Sequence, residues 1–103
     1  MNRIEQLKSF LQESPGDNFL THALALEFIK AGDDQTGLSY FLLNLKNNAQ
    51  YIPTYYHLGK LYERVGETQK AIEIYGQGME IARAAGDNHA LSELRSVYEE
   101  LIW

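Results

Sequence analysis

Residues 55–75 read YYHLGKLYERVGETQKAIEIY. Tyr55, Leu58 and Tyr62 recur at the spacing of one helix face, and Ala71 and Tyr75 recur on another. Between them Gly66, Glu67 and Thr68 interrupt the apolar pattern with a glycine and polar residues. Two helices joined by a short glycine turn is the direct reading. The same arrangement lies 34 residues earlier, where Leu24 matches Leu58, Ala25 matches Gly59 and Phe28 matches Tyr62. Gly32 then matches Gly66, Gly37 matches Ala71, Phe41 matches Tyr75 and Leu45 matches Met79. Small residues align with small and aromatics with aromatics, the mark of a repeat protein. A further step back aligns Ile4, Leu7 and Leu11 with Leu38, Phe41 and Leu45, so the N-terminal segment is half a repeat.

Working outward, the rest of the chain has the same character. Leu91, Leu94, Tyr98 and Leu101 form a last helical stripe, which follows the period only with a two-residue shift because residues 81–86 are extended. Short polar or glycine-bearing turns separate the stripes at 14–17, 31–34, 47–48, 65–68 and 85–88. Gly32, Gly66 and Gly86 stand where a left-handed residue ends a helix. Pro53 suits a first helical turn, where its missing N–H is not needed. The expectation is an all-α protein of six helices with no strand. Residues 1–103 form one domain, divided into an N-terminal half-repeat helix (1–14), a first repeat (18–51), a second (52–85) and a capping helix (87–103). Glu93, Arg95, Glu99 and Glu100 give that last helix a solvated outer face.

At this point the chain resembles the tetratricopeptide-repeat (TPR) family. Tyr55, Leu58, Gly59, Tyr62, Gly66, Ala71 and Tyr75 carry its motif, with Tyr55 in place of the usual tryptophan. Thr21, Leu24, Ala25, Phe28, Gly32, Gly37 and Phe41 repeat it more weakly, and Pro15 takes the place of its terminal proline, where Ala49 and Arg83 stand later. The resemblance implies a short right-handed superhelix of helix pairs. In physical terms, antiparallel helices approach closely only where side chains are small, and Ala25, Gly37, Gly59, Ala71 and Gly78 supply such sites. Asn44 departs from this pattern at the position equivalent to Gly78, and its amide needs partners if buried.

Composition narrows the function classes. The formal net charge of −5 leaves no basic excess for phosphates, so nucleic acid is not an expected partner. No stretch approaches the roughly 20 apolar residues of a membrane span, and Arg3, Glu5 and Lys8 break the N-terminus against a signal-peptide reading. The chain has no cysteine, which fits a reducing cytoplasm. No nucleophile motif or phosphate loop occurs, and no cofactor is expected. Gly76 and Gly78 lie in a helical pattern, without the lysine and hydroxyl residue of a P-loop. Of the three histidines, none is read as having a second histidine or a carboxylate three or four residues away, and His22 and Glu27 are five apart. No catalytic or metal-binding residue is therefore assigned, and no enzyme activity is expected.

The resemblance instead implies binding of another protein. In the family the first helix of each pair lines a concave surface. Here that face would carry Phe19, His22, Leu26 and Ile29, then Tyr56, Lys60, Glu63 and Arg64, with Gln50 and Tyr51 at its edge. Loop packing and ligand contact are equally compatible with Tyr51 and Tyr56. This mixture suits a peptide or helix of a partner, as in a protein-interaction adaptor. The carboxylate clamp of chaperone-binding members is not expected, because its matching sites are His22, Leu26 and His57. The alternative is a structural homo-oligomer, a weak dimer through the C-terminal helix with its Leu101-Ile102-Trp103 end.

Overall fold

The computed structural model describes residues 2–103. Six helices follow one another: α1 (Arg3–Glu13), α2 (Asn18–Lys30), α3 (Asp34–Asn47), α4 (Ile52–Arg64), α5 (Thr68–Ala85) and α6 (Asn88–Ile102). Among the described residues there is no strand, and the all-α repeat architecture stands as expected.

The helix ends follow from local chemistry. Side-chain oxygens of Asn2, Asp17, Asp33 and Asp87 accept from the backbone N–H groups of Glu5, Leu20, Thr36 and Ala90 at 2.9–3.1 Å. Each such cap contributes about 1 kcal/mol. Gly32 and Gly66 have φ of +88° and +85°, a left-handed conformation that side chains resist. The following N–H then reaches back into the helix: Asp33 donates to the Phe28 carbonyl at 2.9 Å, and Glu67 donates to that of Tyr62 at 2.8 Å. The two glycines thus occupy equivalent turns, and Gly86 repeats the arrangement, with Asp87 donating to Ala82. The turn after α3 is different. Asn48 there is extended, and its carbonyl and side-chain oxygens accept from Tyr51 and Gln50.

The chain divides into two compact units, one ending at Tyr51 and one running from Ile52 to Trp103. In the first, α2 packs along α3 and α1 packs on α2. Leu7, Leu24, Ala25 and Phe41 are buried, the Phe28 and Tyr40 rings stack at 5.6 Å, and the Lys8 ammonium lies 5.4 Å from the Phe28 ring centre. Gly37 allows the α2–α3 crossing, since a Cβ there would come within 2.5 Å of Ile29 Cγ1. Asn44 is fully buried, and Asn18 Nδ2 donates to its Oδ1 at 2.6 Å, which supplies a partner its amide requires.

In the second unit α5 packs on both α4 and α6. Tyr55, Leu58, Leu61, Tyr75, Ala71 and Leu94 are buried together with Val97. A Cβ on Gly59 would overlap the Tyr75 ring, and one on Gly78 would lie 2.6 Å from Tyr55 Cβ, so two aromatic rings take space that two glycines leave. The first unit reverses the bulk of the second pair, with Thr21 in place of Tyr55 and Asn44 in place of Gly78. The two-residue shift before α6 also has a physical origin. At 18 residues α5 is one turn longer than the 14-residue α3, and the turn after it is two residues shorter than residues 48–51.

Candidate functional site

The residues expected to line a binding face fall into two groups by unit. In the first unit His22 is only 8% exposed, with its ring 5.5 Å from that of Phe41 and 5.6 Å from that of Tyr51. Ile29 packs at the Gly37 crossing. Both therefore take part in holding α2 to its neighbours. Leu26 and Tyr51 are half-buried, and burial, followed by the charge of Asp17, raises the Tyr51 phenol above its ordinary range.

In the second unit, Tyr56, Lys60, Glu63 and Arg64 all lie on α4. Lys60 and Arg64 are exposed, and Tyr56 is half-buried. Glu63 is anchored from below: the Tyr75 hydroxyl donates to its Oε2 at 2.5 Å, and Lys60 Nζ stands 3.8 Å from the same oxygen. The carboxylate is therefore tethered from the core side and stands beside an exposed cation on α4.

The structure adds a feature that the periodic reading did not contain. Where α4 begins beside α6, a cleft of about 280 Å³ opens. Ile52, Pro53, Tyr56 and His57 line one wall, and His89 and Glu93 stand on the other, with Leu94 beneath. The Tyr56 and His57 rings meet edge to face at 5.5 Å. Burial lowers the His57 imidazole below its ordinary value, against an upward pull from Glu93. His89 Nε2 lies 3.5 Å from Glu93 Oε1. That contact corrects the reading that no histidine has a carboxylate one turn away, since His89 and Glu93 are four residues apart on one helix face. Their spacing was the available signal. Among the described residues no group of three or more histidines and carboxylates could hold a metal ion. The cleft offers an apolar floor, an aromatic edge and carboxylates.

The chain is 41% identical to a tetratricopeptide repeat domain protein from Salinibacter ruber, whose solution NMR structure superimposes with a TM-score of 0.82 over 85% of this chain and 89% of that one. The chain belongs to the tetratricopeptide-repeat family. A crystal structure of a TPR domain protein from the same organism matches at 41% identity and a TM-score of 0.78, over 82% of this chain and 96% of that one. A protein from Bordetella parapertussis shares the fold at 20% identity, with a TM-score of 0.83 over 98% of this chain and 88% of that one. No family model matches the chain, and no curated protein matches it. As a TPR chain it is a general protein-interaction repeat module. Among the described residues, no helix is long and apolar enough to cross a membrane.

Proposed function

We propose that this TPR chain is an adaptor that binds a peptide or helical segment of another protein through its helix faces. In the second unit the candidate residues are Tyr56, Lys60, Glu63 and Arg64 on α4, and in the first unit, taken by itself, they are Leu26 and Tyr51. The observation that carries the proposal is the open cleft beside α4, in which a half-buried Tyr56 forms one wall. Aromatic side chains that are already held in place and still partly accessible are favoured anchors, because little side-chain freedom is lost on binding. A cleft of this size takes one or two side chains, so affinity is expected on the order of micromolar. Lack of cysteine supports a cytoplasmic setting.

The test is Tyr56→Ala. It should weaken binding of a selected peptide by about 1 kcal/mol or more while leaving the melting temperature nearly unchanged. Glu99→Ala, on the exposed face of α6, should change neither. Unfolding of the Tyr56 variant would return that residue to the core and end the assignment. A second reading, self-association through α6, rests on exposed Ile102 and on Trp103 at 91% exposure. Sedimentation equilibrium decides it, and a monomer across the concentration range removes it.

A further inference from the structure

We infer that the cleft between α4 and α6 selects a segment of another protein in which an arginine or lysine stands beside an apolar residue. The inference rests on the binding proposal above and assigns the chemistry of its ligand. Its first support is charge. Besides the Tyr56 phenol, the ionisable groups lining the cleft are His57, Asp87, His89 and Glu93, and no lysine or arginine lines it. The shallower continuation along α6, past Ser92, Ser96 and Val97, adds none either.

Burial holds His57 toward its neutral form, so this imidazole does not offset the two carboxylates. Asp87 spends one oxygen capping α6, where it accepts from Ala90 N at 3.0 Å, and its charge remains at the cleft. The Glu93 side chain is more than half exposed, and the His89 imidazole stands 3.5 Å from it. Glu93 is thus an acceptor at the rim that an incoming cation can reach. The Tyr56 ring on the facing wall gives the same cation an aromatic surface, which arginine uses well.

The floor supplies the second half of the specificity. Ile52, Pro53 and the buried Leu94 form an apolar notch that a charged side chain would not enter without loss of hydration. A neighbouring aliphatic or aromatic residue of the ligand fits it, with the cation reaching the rim. The net charge of −5 favours approach of a basic segment and disfavours an acidic one. An acidic C-terminal tail would bring like charge to Glu93 and Asp87.

The experiment is selection from a phage-displayed library of random dodecapeptides on the immobilised full chain. Titration of the enriched peptides against wild type and Glu93→Gln follows. The expected result is enrichment of Arg or Lys next to Leu, Ile, Met or Phe. Glu93→Gln should weaken those peptides about fivefold, the scale of a partly exposed ion pair, with the melting temperature retained. Replacing the peptide's cation by glutamine should cost wild type the same factor and the variant nothing further, which localises the contact. Enrichment of acidic or uncharged sequences, or of basic ones indifferent to Glu93→Gln, overturns the inference and leaves the binding proposal standing. No enrichment over blank matrix overturns both.

Discussion

Two glycines separate space from flexibility at the level of single residues. Gly59 and Gly76 both lie inside helices, yet a Cβ at Gly59 would overlap the Tyr75 ring, while a Cβ at Gly76 meets nothing within 4 Å. Gly59→Ala should therefore destabilise by about 1–3 kcal/mol through overpacking. Gly76→Ala should stabilise by about 0.5–1 kcal/mol, because it removes freedom from the unfolded chain at no steric cost. Urea midpoints of the pair check both signs. Tyr75 carries a second test. Its ring is fully buried, and burial, then the hydrogen bond and charge of Glu63, hold its phenol well above the ordinary value near 10. The native state keeps this proton where the unfolded chain loses it, so stability is unaffected below pH 10 and falls as pH rises beyond it. Tyr75→Phe should cost about 1–2 kcal/mol at neutral pH through the lost charge-assisted bond. The variant should also lose less stability than wild type on alkaline titration. The first unit already carries Phe41 at the equivalent position, so the ring itself is accommodated.

At the level of helices, the period was legible because the crossing points require particular residue sizes. Gly37 and Ala71 are both buried, and no reading of hydrophobicity alone would have set them apart from other small residues. Ala71→Leu should cost about 1–3 kcal/mol. Lys70→Leu, one residue away with its ammonium exposed 5.8 Å from the Tyr62 ring centre, should cost under about 1 kcal/mol. Equal denaturation midpoints would remove Ala71 from the crossing. The longer α5 was legible only as a slipped register, because helix length and turn length changed in opposite directions. The partner of Asn44 was not legible at all. Asn18 lies 26 residues away in sequence, and only the packing of α2 on α3 brings the two amides together.

For the whole molecule, the family and its architecture were readable, and the candidate site only in part. Tyr56 was named as a candidate through the family resemblance, and it is half-buried on α4. The cleft beside it escaped because it depends on how closely α6 follows α4, and the two-residue register shift obscured that relation. His57 connects this cleft to stability. Its folded form resists protonation, so the unfolded chain takes up a proton near pH 6.5 that the native chain declines. The associated stability is present above that value and is lost as the solution becomes more acid. The melting temperature of wild type should fall more than that of His57→Gln between about pH 7.5 and about pH 5.5. An equal fall in both would show that this imidazole is not the group responsible. The turn at residues 48–51 has a different consequence. It has no left-handed glycine, its residues Asn48, Ala49 and Gln50 are exposed, and it stands where one compact unit gives way to the next. The bond between Ala49 and Gln50 lies in no helix, so a protease cut there should interrupt none, and a foreign loop spliced in at the same bond should leave all six intact. This bond is where the chain can be opened to receive a label, a tether or a second domain.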